Sequence, residues 1–268
     1  MSIRKTLGRL YWLLDTQFGI DPRKAFQSLR GLPRYINDLF RFHSGYTGRL
    51  ELRPCLHDWY EGAGSNMNEY FWQDLLVAQM IFDRKPQRHV DIGSRVDGFV
   101  AHVASFREIE VFDIRPSVMQ VPGVIFRQAD LMKPVSGMAG YCDSLSCLHA
   151  LEHFGLGRYG DPIDPTGFKQ GISNMSSLLR DGGIFYLSVP VGIDRVEFNA
   201  HRVFDPRCLV ELAAASALLL TGITLVRPEE IVEIDIVKKG TLDSIAGERY
   251  ALGIFVFKKT GNKAEAGG

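Results

Sequence analysis

Apolar residues in the first eighty positions recur with a helical period. Leu7, Leu10, Tyr11, Leu14 and Phe18 are spaced by three and four, which places them on one helix face. Pro22 and Pro33 stand where helices are expected to start. A stretch over 46–65 with Gly48, Pro54, Gly62 and Gly64 reads as loop. Asn68 to Phe82 predicts a second amphipathic helix that buries Tyr70, Leu75, Leu76 and Ile81. After Pro86 the pattern changes to short apolar runs separated by helical stretches or long crossovers. The runs are His89–Ile92, Glu110–Phe112, Val124–Phe126, Ser144–Leu148 and Ile184–Val189. That alternation predicts an α/β domain with a parallel sheet covered on both faces. Ile223–Val226, Ile231–Ile236 and Ile254–Lys258 are further expected strands, and the Gly/Ala/Lys/Glu-rich tail from Thr260 reads as disordered. The organisation expected is a helical extension or cap over 1–85, a sheet domain over 86–259 and a tail over 260–268.

Composition changes this picture little. At 268 residues, with 46% hydrophobic and 23% charged residues, the chain is long enough for one large domain with a sizeable core. The formal net charge is zero, so nothing in the total points to nucleic acid. No apolar run reaches the ~20 residues of a membrane span, and the N-terminus lacks a signal-peptide pattern. The four cysteines, Cys55, Cys142, Cys147 and Cys208, form no C-x-x-C pair. Free thiols and a cytoplasmic location are the expectation. Charge is uneven, however. Residues 1–53 hold ten Lys/Arg against four Asp/Glu, a balance of +6. A solvated helix face explains this most simply; a peripheral contact with an anionic membrane or substrate is the sharper reading.

The candidate chemistry begins at His89-Val90-Asp91-Ile92-Gly93-Ser94-Arg95-Val96-Asp97-Gly98. A strand runs into a glycine turn and then a helical segment, Phe99–Ser105, as in the first βα turn of a nucleotide-binding sheet. Asp113 ends the second strand, at the distance where an acid can accept ribose hydroxyls. Asp130 ends the third, where an acid can accept an adenine amino group. Beyond the fourth strand, Phe154–Pro165 packs Gly155, Gly157, Arg158, Tyr159, Gly160, Asp161 and Asp164 into a polar loop. Beyond the fifth comes a second polar cluster, Glu197–Arg202. His149-Ala150-Leu151-Glu152-His153 also matches the H-x-x-E-H pattern of a metallopeptidase class. It directly follows a strand and has no third ligand by spacing, so no metal is expected.

From about His89 to Lys258 these residues resemble the class I S-adenosylmethionine-dependent methyltransferases. Asp91 and Gly93 match the start of the first motif, Asp113 the ribose acid and Asp130 the adenine-side acid. Asp143–His153 matches the fourth strand with its Leu-Glu-His turn, and Gly182–Pro190 the fifth strand with its Gly-Gly turn. The chain departs from the usual Gly-x-Gly-x-Gly by carrying Arg95 and Asp97 at the second and third glycine positions, with Gly98 one residue late. The strings Asp91–Gly98, His149–Pro165 and Glu197–Phe204 are also similar to a family described only as a domain of unknown function and associated with polysaccharide genes.

The resemblance implies a Rossmann-like class I methyltransferase fold, with a mostly parallel seven-stranded sheet and helices on both faces. It implies S-adenosylmethionine held by Asp91, Gly93, Ser94, Arg95, Gly98, Asp113, Ile114, Ala129, Asp130, Leu148 and His149. The activity implied is methylation, with the acceptor expected to be the hydroxyl of a small polar molecule such as a sugar, nucleotide-sugar or surface-glycan group. Such a nucleophile needs a base. His201 is ranked first and His153 second, with Asp161 and Asp164 as alternatives; Arg158, Tyr159, Asn199 and Arg202 are expected to orient substrate. Arg95 is expected to pair with the cofactor's carboxylate, Asp91 or Asp97. The partners expected are a small-molecule or glycan substrate and a membrane or polysaccharide-assembly contact through the basic N-terminal segment. The rival readings are a binding module that keeps the fold without transferring methyl groups, and a glycan-processing enzyme on the same fold.

Overall fold

In the computed structural model, which describes residues 3–62, 67–118, 120–227, 230–234 and 240–261, eight strands form one sheet. They are β1 (His89–Ile92), β2 (Ile109–Asp113), β3 (Val124–Gln128), β4 (Cys142–Leu148), β5 (Leu179–Val191), β8 (Leu218–Arg227), β9 (Glu230–Ile234) and β10 (Ala251–Lys259). Their order is β3-β2-β1-β4-β5-β10-β8-β9. The first five are parallel neighbours; β10 runs antiparallel to both β5 and β8, and β9 antiparallel to β8. The sheet is thus mostly parallel, as expected, but has eight strands rather than seven, because β9 extends the β8 edge. The last two residues of the predicted Ile231–Ile236 run lie outside the described residues.

The parallel strands are apolar because both faces are covered. On one face, Val90, Leu145, Leu187 and Phe255 pack with Ile172 and Met175 of α5 (Gly167–Leu178) and Leu209 of α6 (Pro206–Ala215). On the other, Val111, Tyr186 and Ile254 pack with Val77 and Ile81 of α3 (Glu69–Arg84), and with Phe99, Val100 and Val103. The helix expected at Phe99–Ser105 is a wide turn, Val96–Val100, followed by the short α4 (Ala101–Ala104).

The chain divides into two compact units, Met1–Asn66 and Met67–Gly268. The boundary therefore lies at 66 rather than 85. The cause is α3, whose Val77, Ala78 and Ile81 belong to the core of the sheet unit. Tyr70, expected inside, is exposed, and Gln73 and Asp74 are buried in its place. The first unit holds α1 (Ile3–Phe18) and α2 (Pro22–His43). Asp21 caps α2 by accepting from the Arg23 and Lys24 amides, and Pro22 sits in its first turn. Pro33 lies inside α2 instead of starting a new helix. In the sheet unit, α7 (Thr241–Ala246) precedes β10. The hairpin β6 (Arg195–Glu197) and β7 (His201–Val203) gives the second polar cluster a β structure that the pattern did not predict. Of the expected tail, the Thr260 amide still bonds the Ala217 carbonyl, and residues from 262 lie outside the described residues. All four cysteines are free thiols.

Candidate active site

The strand order reverses between β1 and β4, the switch point where open α/β sheets form a ligand crevice. A cavity of about 240 Å³ lies there. Its wall is built from residues that follow the strands in turn: Gly93 and Arg95 after β1, Asp113 to Arg115 at the end of β2, Ala129 to Met132 after β3, and Leu148 to Ala150 at the end of β4.

Gly93 makes the first turn with φ +72°, and a Cβ there would stand 3.1 Å from the Ala150 Cβ. Bare backbone therefore faces the cavity. Asp91 and Ser94 shape this turn from behind and do not line the cavity. The buried Asp91 carboxylate accepts from the Ser94 amide (3.0 Å), the Ser94 hydroxyl (2.7 Å) and the Ser146 hydroxyl (2.5 Å). Burial pushes its pKa up to about 6, against the lowering effect of the Ser146 and Ser94 hydrogen bonds. A carboxyl whose folded pKa exceeds its unfolded value adds stability at low pH and loses it as pH rises through the folded pKa. Between pH 4 and 7 the wild type should therefore lose on the order of 2–3 kcal/mol relative to Asp91→Asn. Urea unfolding at both pH values checks this; a difference that does not change with pH would show that Asp91 does not titrate in that window.

Arg95 pairs with Asp97 through two contacts of 3.0 and 2.7 Å at the exposed rim. Gly98 is off the cavity, and its missing side chain admits Asp74, whose Oδ2 would lie 2.5 Å from a Cβ at that position. Asp74 and Gln73 come from α3 and line the cavity with Tyr70. Burial raises the Asp74 pKa, although Gln73 donates to it at 2.9 Å. Sequence reasoning missed all three. The signal available was the polar Gln73-Asp74 pair at positions that belong to the buried stripe of α3.

Asp113 reaches the cavity with both oxygens gripped by Arg115, at 3.0 and 2.6 Å. The Arg115 guanidinium also lies 4.7 Å from the centre of the Tyr159 ring. Asp130 accepts from the Met132 amide (3.0 Å) and meets the Lys133 ammonium at 3.2 Å. Ile114, Ala129 and Leu148 complete this side of the wall.

At the end of β4, His149 adopts φ +50° and its Nδ1 meets Glu152 Oε1 at 2.7 Å. The Tyr70 ring lies 4.5 Å away. Three buried atoms of this group have no hydrogen-bond partner: His149 Nε2, Glu152 Oε2 and His153 Nδ1. Burial opposes protonation of His149, but the Glu152 charge and hydrogen bond outweigh it and hold the His149 pKa above its ordinary value. Burial likewise opposes the Glu152 charge, and His149 reverses that too, so the two form an ion pair. His153 differs. Burial lowers its pKa, and Glu152 only partly offsets the shift. Residues 151–153 form a 3-10 turn, so His149 and His153 do not stand one turn apart on an α-helix as the metallopeptidase pattern requires. Among the described residues no group of three His, Cys, Asp or Glu is arranged to hold a metal.

The loop beyond β4 brings Arg158, Tyr159 and Asp161 to the cavity. Asp161 folds the loop by accepting from the Gly157 and Tyr159 amides, both at 3.1 Å. Asp164 stands off the cavity; its carboxylate accepts from the Thr166 amide and hydroxyl just ahead of α5. The hairpin cluster does not line the cavity either. Arg202 is buried and donates to the Phe154 carbonyl at 2.5 Å, with the Glu152 and Pro165 carbonyls at 3.4 Å. It clamps the loop through both terminal guanidinium nitrogens, which meet backbone carbonyls, and it does not line the cavity. Asn199 is exposed, and His201 sits beside Glu197 (3.9 Å) and Tyr250 (ring centres 6.4 Å). The hairpin does touch the site indirectly, since Arg158 donates to the Ala200 carbonyl at 2.8 Å.

Residues 124–246 match the family described as "Caenorhabditis protein of unknown function, DUF268". No curated protein matches the sequence at a significant level. Several solved structures share the fold. Burkholderia thailandensis 1,6-didemethyltoxoflavin-N1-methyltransferase, with bound 1,6-didemethyltoxoflavin and S-adenosylhomocysteine, is 15% identical over 74% of this chain and 83% of its own, with a TM-score of 0.52. The YcgJ protein from Bacillus subtilis is 12% identical over 71% of this chain and 99% of its own, with a TM-score of 0.52. The N-methyltransferase NodS from Bradyrhizobium japonicum WM9 is 12% identical over 74% of this chain and 100% of its own, with a TM-score of 0.50. At these identities the likeness is one of fold, and the fold is the Rossmann-like one of class I methyltransferases.

Proposed function

We propose that the chain is an S-adenosylmethionine-dependent methyltransferase acting on a small polar acceptor. The observation that carries this reading is the switch-point cavity, with the bare Gly93 turn after β1 and the carboxylates Asp113 and Asp130 at the next two strand ends. These residues suit the cofactor in kind. Asp113 offers a carboxylate to a ribose diol, Asp130 an acceptor to an adenine amino group, and Ile92, Phe112 and Leu148 an apolar wall. The Arg115 grip on Asp113 is no barrier, because the Arg115 side chain is half exposed and such a pair is worth on the order of 1 kcal/mol. Bound S-adenosylmethionine supplies a methyl carbon on a sulfonium, which reacts with a nucleophile held in line.

Within the cavity His153 is the base of choice. Its lowered pKa leaves the imidazole neutral at pH 7, and the residue lines the cavity. This places His153 above His201 in the proposed mechanism, because His201 does not line the cavity. The His149–Glu152 pair orients the turn that carries His153. Arg158, Tyr159 and Asp161 give the acceptor side polar groups suited to a sugar or nucleotide-sugar hydroxyl. Calorimetric titration with S-adenosylhomocysteine is the direct test, with binding expected in the micromolar range. Asp113→Ala should weaken it by ~1.5–3 kcal/mol, the scale of hydrogen bonds to a charged group, whereas Arg115→Ala should bind as well or better. No heat and no thermal shift at millimolar ligand would remove the methyltransferase reading in favour of a fold kept for binding alone.

A further inference from the structure

The first unit presents an apolar stripe that its own packing does not cover. Phe26, Leu29, Leu32, Ile36 and Phe40 recur along α2 at spacings of three and four, and are 66%, 73%, 42%, 43% and 70% exposed. At 3.6 residues per turn they span an arc of about 120°. The contacts that α2 makes within its unit lie on another side. Gly31 is the buried position, with the Leu56 carbonyl where a Cβ would stand. Arg34 stacks on Trp59 at 3.1 Å and Arg30 faces Tyr60 at 5.3 Å. The loop over 56–60 thus packs on the helix at Gly31 and stacks on Arg30 and Arg34, which stay exposed, and leaves the five apolar side chains uncovered within this unit. The groove lined by Leu7, Leu10, Tyr11 and Leu14 between α1 and α2 adds to the apolar surface of this unit, and Trp12 and Phe18 are also more than half exposed.

Charge identifies the occupant. Arg23, Arg30, Arg34 and Arg41 fall within an arc of about 40° that runs alongside the stripe. Over α2 they and Lys24 are opposed by a single acid, Asp38. Residues 1–53 as a whole carry +6 in a chain of zero net charge. An apolar, aromatic-bearing face bordered by arginines is the arrangement by which a helix lies in a lipid–water interface, with cations at the level of anionic headgroups. No described helix is long and apolar enough to cross a membrane, which fits a helix lying along the surface. We propose that the α1–α2 unit docks on an anionic lipid surface, with α2 parallel to it and Phe26, Leu29, Leu32, Ile36 and Phe40 in the acyl boundary.

The test uses the full chain with vesicles of phosphatidylcholine alone or of phosphatidylcholine with about one-third phosphatidylglycerol, scored by co-sedimentation. The expected result is binding to the anionic vesicles at low salt, weakening as salt rises and at least tenfold weaker on the neutral ones. The double variant Phe26→Ser/Phe40→Ser should lose tenfold or more of the binding. Arg23→Gln/Arg41→Gln should lose about tenfold or more, with the loss shrinking at high salt. All four positions are exposed, and unchanged circular dichroism confirms that each variant folds. Failure to bind anionic vesicles overturns the proposal, as does equal binding by the folded Phe26→Ser/Phe40→Ser variant. A concentration-dependent dimer that this variant abolishes, without any vesicle binding, would give the face to a second copy of the chain and overturn it too.

Discussion

His153→Ala is expected to lower kcat by ~10²–10⁴-fold while leaving the affinity for S-adenosylhomocysteine nearly unchanged, as for a lost general base. The expectation rests on position and charge together. His153 lines the cavity between the end of β4 and the loop carrying Tyr159, whose ring lies edge-on at 5.4 Å. Because burial holds its pKa below the ordinary histidine value, the neutral form persists below pH 6.5 and can accept a proton across the physiological range. The acid limb of the wild-type kcat profile should therefore fall below pH 6.5, and the alanine variant should lack it. His201→Ala should stay within a few-fold of wild type. The measurement is a methyl-transfer assay on both single variants, with cofactor titration as the control for binding. A full loss in His201→Ala with near-normal turnover in His153→Ala would move the base to the hairpin. Wild-type turnover in both would pass the role to Asp161, the acid that reaches the same cavity.

The sheet was legible because its strands are apolar runs bounded by breakers, and every predicted run falls within an observed strand or overlaps one. The β6–β7 hairpin was not, since Arg195–Glu197 and His201–Val203 are three-residue, mostly polar strands that carry no periodicity. The cavity wall was readable where it follows strand ends in sequence, as at Gly93, Asp113, Asp130 and His149. It was unreadable where side chains decide between neighbours. Whether Asp113 faces a ligand or Arg115 two residues on is a choice of side-chain rotamer that periodicity does not record, and whether Arg202 points to substrate or back to three carbonyls depends on packing between segments distant in sequence. The same holds for α3. Periodicity placed the helix, but burying Asp74 depends on the room that Gly98 leaves across from it.

Gly155→Ala is expected to cost roughly 2–5 kcal/mol of stability. Two effects add. Gly155 sits at φ +75°, where an L side chain costs about 1–2 kcal/mol. Its Cβ position also falls on the backbone of Asp164, against the carbonyl oxygen and 2.8 Å from the carbonyl carbon. Backbone cannot rotate aside as a flexible side chain does, so the overpacking costs a further ~1–3 kcal/mol. Relieving the clash separates the two ends of the loop, which are held by the Asp164 amide donating to the Gly155 carbonyl at 3.0 Å. That loop carries Arg158, Tyr159 and Asp161 to the cavity, so acceptor binding should weaken along with stability. Gly160→Ala in the same loop isolates the first effect. Gly160 also has a positive φ, +84°, but nothing lies within 4 Å of its Cβ position. It should cost only the conformational part, about 1–2 kcal/mol. Urea unfolding of the two variants side by side reads the difference. Equal losses would mean that the contact between Gly155 and Asp164 does not constrain the loop. A larger loss at Gly155, with a weaker hold on acceptor, would show that this contact sets the shape of the acceptor side.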